Sequence, residues 1–287
     1  MGDKTAIAWC SSTWNPCVGC FKVSSGCRSC YAESMALRWG WTPKPWTKAN
    51  IKANLVLKPD RLGQPHKWKD GRRIFVNSMS DLFLEEIPDD FRAQVFDVMC
   101  ATPRHTYQIL TKRPEVAARF VPEYLATLNK THGRKDATLP AHIWIGVSVE
   151  NQKCLDRMDI LRSVPAALRF ISFEPLLEDL GPVDLSGYRW AIVGGESGDG
   201  YRPMDHAWAR SLRDQSKAQG VAFFFKQSAA QFTERGTKLI EADGSKTLIQ
   251  EYPTTPPQAP EAIPGAPTKP TGKSKKALGP ASNLTLF

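Results

Sequence analysis

The sequence predicts an α/β fold, a complete or partial (β/α) barrel of parallel strands, and three observations favour it. Short runs of β-branched and aromatic residues alternate with helix-compatible segments over residues 1–228. The runs are almost continuously apolar, which is typical of parallel strands covered on both faces. Most runs end in polar or charged residues, and such residues form the active-site rim of barrels at the carboxyl ends of the strands.

The individual elements follow from this alternation of patterns. The predicted strands are residues 6–9, 55–57, 73–77, 106–110, 142–149, 169–173, 190–193 and 221–225. The predicted helices between them include residues 89–101, 114–128, 152–163 and 206–219, and Gly220 is suited to end the last of these. Seven or eight such units favour a barrel over an open sheet.

The composition changes after the predicted barrel domain, residues 1–228. Residues 229–251 are predicted to form a short appendage with a turn at Asp243-Gly244. Residues 252–287 are rich in proline, alanine and lysine and contain few large apolar side chains. Such a segment buries too little surface to offset its ordering entropy, so we expect a flexible tail.

Charge and cysteine content limit the cellular setting. The chain has 38 basic and 29 acidic residues, a net charge of +9, which suits nucleic acid or other acidic partners but also serves solubility. No signal-like segment and no run of 18 apolar residues is present, so we expect a cytoplasmic protein without membrane contact. In a reducing compartment the seven cysteines are not expected to form disulfides.

Four cysteines lie close together near the N-terminus and indicate a metal centre. Cys17, Cys20, Cys27 and Cys30 have the spacing C-x2-C-x6-C-x2-C, and glycines precede Cys20 and Cys27. Glycine lets the backbone wrap closely around a bound ion or cluster. The remaining cysteines stand apart, and we interpret them as small buried apolar residues: Cys10, Cys100 and Cys154.

The spacing alone is compatible with two kinds of centre. Four thiolates could hold a structural zinc ion. Three thiolates, those of Cys20, Cys27 and Cys30, could instead hold a [4Fe-4S] cluster with one iron open to a ligand. The motif follows the first predicted strand and precedes a helix beginning near Ala32, which favours a cluster inside a barrel over a separate zinc lobe.

At these residues the chain resembles a phage-associated protein family of unassigned function. The family is recognised by a three-cysteine C-x6-C-x2-C motif that resembles the motif of radical SAM enzymes. The resemblance begins at Thr13-Trp-Asn-Pro and Cys30-Tyr-Ala-Glu33. It continues through six later blocks, at residues 75–83, 108–114, 144–148, 173–177, 192–198 and 223–227.

The resemblance implies a barrel of radical SAM type. Cys20, Cys27 and Cys30 would bind three irons, and S-adenosyl-L-methionine would bind the fourth. Its reductive cleavage would give a 5′-deoxyadenosyl radical that takes hydrogen from a substrate. The sequence identifies no catalytic side chain. It also leaves open the electron donor, any protein partner and the substrate, and the substrate could derive from nucleic acid.

The motif departs from the common radical SAM pattern in three ways. Six residues separate Cys20 from Cys27 where three are usual, and Ser29 stands where an aromatic residue is usual. Cys17 is the third departure. As a fourth ligand it would close the site to S-adenosyl-L-methionine, and we favour a role outside the cluster.

A cofactor site of this type needs cations or hydroxyls for a carboxylate, and acceptors for amino and ribose groups. The strand ends supply candidates for the first in Lys112 and Arg113, and for the second in Glu150, Glu174 and Glu196. Residues 193–198 are the preferred cofactor segment because glycines allow close backbone approach. The further candidates are Gly194, Gly195, Ser197, Asn77, Ser78, Ser80 and Lys226, the last as an anion clamp or a surface residue.

A second hypothesis gives the chain no catalytic role. A zinc ion or closed cluster on all four cysteines would stabilise a nucleic-acid-binding protein. Four tryptophans among many lysines and arginines could then stack on bases while the cations neutralise phosphates, or they could cover the barrel side: Trp39, Trp41, Trp46 and Trp68.

Overall fold

The computed structural model describes residues 4–254, and a curled, half-barrel sheet of seven parallel strands lies at their centre. The strand order is β1-β4-β5-β6-β7-β8-β9. The strands are β1 (Ser12–Trp14), β2 (Cys17–Val18), β3 (Val56–Leu57), β4 (Arg73–Val76), β5 (Thr106–Thr111), β6 (Leu139–Ser148), β7 (Ala166–Phe173), β8 (Trp190–Gly194), β9 (Ala222–Gln227), β10 (Leu239–Ile240) and β11 (Lys246–Thr247).

Helices connect the strands and cover the outer face of the sheet. The α-helices are α1 (Tyr31–Arg38), α2 (Ile51–Asn54), α3 (Gln64–Lys67), α4 (Asp89–Ala101), α5 (Pro114–His132), α6 (Asp156–Arg162) and α7 (His206–Ala218). Short 3-10 helices occupy Ser25–Cys27, Lys48–Asn50, Pro59–Arg61 and Gln152–Cys154. The prediction of an α/β fold with parallel strands is therefore confirmed.

Aromatic residues fill the concave face of the sheet. The ring of Trp190 on β8 is fully buried and contacts Trp9, Trp144 and Phe170. Gly146 on β6 is required there, because a Cβ at this position would lie 2.4 Å from the Phe170 ring. The base of the half-barrel is thus solid, and the open space lies toward the carboxyl ends of the strands.

The segment that follows β11 covers the edge of the main sheet at β9. The Phe225 N–H donates to the Ile249 carbonyl at 2.8 Å, and the Glu251 N–H donates to the Phe223 carbonyl at 3.0 Å. Pairing of this kind protects an exposed edge strand. Tyr252, the first residue of the segment expected to be flexible, packs with its ring centroid 5.4 Å from that of Trp190. The rest of that prediction, residues 255–287, lies outside the described residues.

One predicted strand is absent, and another exists but lies outside the main sheet. Residues 6–9 form no strand, and the first strand of the sheet is β1. Residues 6–9 are apolar because Trp9 packs across the concave face on Phe75, at 4.7 Å between ring centroids. The strand at residues 55–57 exists as β3 but lies outside the main sheet, where it pairs antiparallel with β2.

The remaining boundaries are close to those predicted. Helix α5 runs four residues beyond the predicted end at 128, to His132, where Gly133 adopts φ 62°. The predicted helix 152–163 divides into a 3-10 turn and α6. Strands β10 and β11 pair around a turn at Asp243-Gly244. None of the helices within residues 4–254 combines the length and apolar composition that a membrane span requires.

Candidate metal centre

A cavity of about 750 Å3 opens at the carboxyl ends of the strands. Three cysteines line it, Cys20, Cys27 and Cys30, all on a segment that we call the cysteine loop, residues 19–30. Most of the predicted rim residues line the same cavity: Asn77, Ser78, Ser80, Lys112, Arg113, Glu174, Gly195, Glu196, Ser197 and Lys226. The sequence pattern thus located one site from segments far apart in the chain. Two predicted site residues, Glu150 and Gly194, do not line the cavity.

The three thiols influence one another electrostatically. Burial raises the pKa of Cys20 to about 12; Arg113 opposes this, while Cys27 and Cys30 add to it. Burial also raises the pKa of Cys30, which lies directly before α1, and the N–H groups of the first helical turn oppose the rise. A bound cation would favour the thiolate forms of Cys20 and Cys30 at this place.

Arg113 is a buried guanidinium beside Cys20. Its Nη1 lies 3.5 Å from Cys20 Sγ and 3.1 Å from Asp81 Oδ2. Its Nη2 donates to the Phe21 carbonyl at 3.0 Å, and its Nε donates to Glu85 Oε2 at 2.9 Å. Asp81 in turn accepts bonds from the Thr111 hydroxyl and the Lys112 N–H. This network holds a positive charge against one thiol of the group.

Cys17 has a different environment from the other three cysteines. It is fully buried on β2, does not line the cavity, and its Sγ accepts a hydrogen bond from Asn77 Nδ2 at 2.9 Å. Burial raises its pKa to about 12. Within residues 4–254 no three His, Cys, Asp or Glu side chains converge as they stand on one metal ion. The shared cavity therefore defines the group as three thiols.

A buried carboxylate fixes the shape of the cysteine loop. Glu150 is 0% exposed; it accepts a hydrogen bond from the Ser24 hydroxyl and pairs with Arg157 Nη1 at 2.6 Å and Lys112 Nζ at 3.3 Å. Burial would raise the pKa of Glu150, but the two cations hold it below its usual value. Gly26 packs directly on this carboxylate, leaving no room for a side chain.

The segment after β8 contacts the same loop. The backbone N–H and the Nε of Arg202 both donate to Glu196 Oε2 at 2.9 Å, and Arg202 Nη2 donates to the Ser25 carbonyl at 2.9 Å. Arg28 Nη2 donates back to the Gly200 carbonyl at 3.2 Å. Glu196, predicted as a cofactor acceptor, thus also orients an arginine that clamps the cysteine loop.

The polar cluster after β4 holds the start of the cysteine loop. The Ser80 hydroxyl donates to the Gly19 carbonyl at 2.5 Å, and the Gly19 N–H donates to the Met79 carbonyl at 3.0 Å. Gly19 has φ 102°, and a Cβ there would lie 2.2 Å from a backbone oxygen of Asn54. Ser78 exchanges hydrogen bonds with the side chain of Asn15. These residues position the loop as well as line the cavity.

Three buried polar atoms belong to cavity-lining residues but have no hydrogen-bond partner within residues 4–254. They are Asn77 Oδ1, Ser172 Oγ and Trp9 Nε1, on side chains at most 2% exposed. Native proteins rarely leave such atoms unpaired. The residues present therefore fit a polar ligand in this cavity, which Cys20, Cys27 and Cys30 also line.

Sequence reasoning missed several residues of the site. Arg157 and Arg202 lie in segments that read as a helix surface and a polar loop, so nothing in the sequence marks them. Gly26 and Ser24 were visible only as part of the loop. Two of the four tryptophans proposed to stack on bases are core residues, since Trp46 and Trp68 are buried.

Comparison with known proteins identifies a family and nothing finer. No curated protein and no solved structure matches the chain. A family described as protein of unknown function (DUF5131) matches residues 4–256, which is most of the sequence and the whole of the described fold. The chain therefore belongs to the DUF5131 family.

Proposed function

We propose that the protein is an iron–sulfur enzyme of radical SAM type that generates a 5′-deoxyadenosyl radical to modify a substrate. The observation that supports this most is that three thiols share one cavity at the carboxyl edge of a parallel half-barrel, while the fourth cysteine of the motif is buried elsewhere. Three protein ligands leave one iron of a [4Fe-4S] cluster open.

The chain's own residues would divide the work as follows. Cys20, Cys27 and Cys30 would hold the cluster, and Arg113 would donate toward the Cys20 sulfur. With S-adenosyl-L-methionine at the open iron and one electron from an external donor, these groups would supply a 5′-deoxyadenosyl radical, methionine being the product released. The protein's task is then to orient the substrate and exclude water.

The rim offers partners for a polar cofactor. Asn77 Oδ1 is an unpaired acceptor suited to an ammonium group. Gly195 and Ser197 also line the cavity. The backbone of Gly195 is already paired, because its N–H donates to the Gln227 carbonyl at 2.9 Å and its carbonyl accepts from Gln227 Nε2 at 3.0 Å. The carboxylates of Glu150 and Glu196 already bind arginines, so they support the site from behind more than they face it.

Apolar side chains enclose the same space. Met35, Trp46 and Met79 line the cavity beside the cysteine loop, and Phe75 and Leu110 line it at the sheet. A cavity with apolar walls and few polar groups is typical of a small-molecule site. It would also keep water away from a reactive carbon radical.

The proposal includes a cytoplasmic location, which the seven unbridged cysteines support.

The test is anaerobic reconstitution with iron and sulfide. We expect a brown protein with about four irons per chain, and 5′-deoxyadenosine on reduction in the presence of S-adenosyl-L-methionine. Replacing Cys27 with Ala should abolish both. A colourless protein that holds one zinc ion on four cysteines would contradict the proposal and favour the non-catalytic nucleic-acid-binding hypothesis.

A further inference from the structure

The cavity contains a second group of polar residues, toward the β9 edge of the sheet. Lys226 Nζ on β9 donates to Glu174 Oε1 after β7 at 2.5 Å, and both residues line the cavity. Glu234 lines it as well. Lys226 is 8% exposed and already paired. It is therefore not a free clamp for an anion.

Glu234 is held in this group by an unusual backbone. Its φ is 58°, in the left-handed region that non-glycine residues rarely adopt. The side chain of Gln227 fixes this conformation, because its Oε1 accepts the Glu234 N–H at 2.6 Å and the Thr233 hydroxyl at 3.1 Å. A residue held in such a conformation beside a cavity points to a ligand.

Two of the unpaired buried atoms belong to residues that line the same cavity. Ser172, on β7, stands two residues before Glu174, and its Oγ has no partner in the described part of the chain. The second atom is the donor Nε1 of Trp9, again without a partner within residues 4–254. With the lysine and the two carboxylates, these atoms offer donors and acceptors to a ligand in one cavity. A ligand with both along one edge would satisfy them.

Exposed aromatic rings stand at the border of this cavity. Trp39 is 54% exposed and Phe232 is 64% exposed, and both line the cavity. Rings that are this exposed at a cavity are suited to stack on a flat ligand. Trp41 supports Trp39, with an edge-to-face contact of 4.9 Å between ring centroids.

We propose that this part of the cavity binds a nucleobase, whose edge contacts Glu174, Glu234 and Lys226 and whose ring stacks on Phe232, two residues before Glu234. The inference rests on the proposed function, because it assigns the space that the cluster and its cofactor leave open. A nucleobase is planar and carries donors and acceptors on one edge. Two carboxylates would repel a phosphate, so we place the phosphate outside this part of the cavity. The chain's net charge of +9 would attract it to the protein surface.

The nucleobase could come from a free nucleoside or from a base turned out of a polynucleotide strand. The experiment titrates the reconstituted full chain, with S-adenosyl-L-methionine present, with each of four ribonucleosides and with a short single-stranded oligonucleotide containing 2-aminopurine. Protein and 2-aminopurine fluorescence report binding. Nucleoside binding should depend little on salt, whereas oligonucleotide binding should weaken steeply as salt rises.

We expect saturable binding in at least one arm, weakened about tenfold or more by Glu174→Gln and by Phe232→Ala. Phe232 is exposed, so its variant should fold. Glu241→Gln is the matched control, because Glu241 is also paired with a cation, Arg213 Nη1 at 2.6 Å, away from the cavity. Its binding should equal that of the unaltered protein.

The outcomes separate the two proposals. If the unaltered protein forms the cluster and releases 5′-deoxyadenosine but binds neither probe, the nucleobase inference is overturned and the proposed function stands. Equal binding by all variants, or binding of an aromatic peptide in place of the nucleobase probes, would also overturn the inference. Nucleobase binding without an iron–sulfur cluster would contradict the proposed function and leave the subsite in place.

Discussion

Gly26 and Glu150 are in contact so close that a Cβ at position 26 would lie 2.2 Å from Glu150 Cγ. The two residues are far apart in sequence, yet the carboxylate is fully buried and packs against the residue that precedes Cys27. The φ of Gly26 is not in the left-handed region, so packing alone excludes a side chain here. Packing against Glu150 therefore constrains the shape of the cysteine loop.

Gly26→Ala should destabilise the protein and lower its iron content, because the new methyl group collides with Glu150. Glu150→Ala alone should cost about 3–5 kcal/mol, since it leaves the buried Arg157 without its partner. In the Glu150→Ala background, Gly26→Ala should lower the free energy of unfolding by less than it does in the unaltered protein, because the side chain it collides with is gone. Urea unfolding and iron analysis measure both effects. Ser29→Ala in the same loop is the control and should change neither.

Cys17→Ala should retain iron, whereas alanine at Cys20, Cys27 or Cys30 should abolish cluster binding. The Cys17 variant leaves the buried Asn77 amide without its acceptor, so we expect a loss of about 1–3 kcal/mol in stability. Cys17→Ser, which keeps an acceptor, should lose less. Iron loss from the Cys17→Ala protein equal to that of Cys27→Ala would show that Cys17 is a ligand.

Arg113→Gln should make the reduction potential of the reconstituted cluster more negative. The guanidinium beside Cys20 stabilises the more negatively charged reduced state, and its removal takes away that charge. A tenfold change in the redox equilibrium corresponds to about 59 mV, and we expect a shift of that order. Redox titration monitored by electron paramagnetic resonance measures it. Arg119→Gln, at an exposed arginine, should leave the potential unchanged.

Asp89 should make stability depend on pH in the acidic range. The hydrogen bond from Arg119 and the charge of Arg92 hold the pKa of Asp89 below its usual value. A lowered folded-state pKa stabilises the fold above the unfolded value of about 3.9. That contribution is lost as the pH falls through the folded pKa. Asp89→Asn should therefore cost about 1 kcal/mol at pH 7, since the side chain is 45% exposed, and progressively less below about pH 4.

Urea unfolding between neutral and acidic pH checks this prediction. Asp90→Asn is the control, because Asp90 also lies in the first turn of α4 and shares any interaction with the helix dipole. A difference between the Asp89 variant and the unaltered protein that stays constant with pH would contradict the assignment.

The parallel strands from β4 to β9 were predictable because their apolar runs are buried locally on both faces. Residues 6–9 were misassigned because burial by Phe75 and Trp190 gives the same apolar pattern as a strand. A short apolar run does not distinguish a strand that pairs within a sheet from a segment that packs on the face of a sheet. Residues 166–168, at the start of β7, were missed for the opposite reason, since Pro165 and Ala166-Ala167 carry little strand preference.

The spacing predicted a cysteine centre, and we favoured a role for Cys17 outside it, but the buried position that Cys17 occupies was not predictable. Its hydrogen bond from Asn77 joins residues 60 positions apart, and Cys17, on β2 beside β3, is buried in the main hydrophobic core. The predicted role of Glu150 as a cofactor acceptor illustrates the same limit. The position of Glu150 after β6 was visible in the sequence. The ion pair of its carboxylate with Arg157 on α6 was not.

Because the main sheet of residues 4–254 stops at seven strands, β1 and β9 do not pair with each other. The segment before β1 bonds instead to segments after β9: the Ala8 N–H donates to Glu234 Oε1 at 3.4 Å, and the Tyr252 hydroxyl donates to the Ala8 carbonyl at 3.1 Å. Side chains of both segments line the cavity, among them Ile7 and Glu234. On this side the cavity is therefore bounded by loops and not by paired strands.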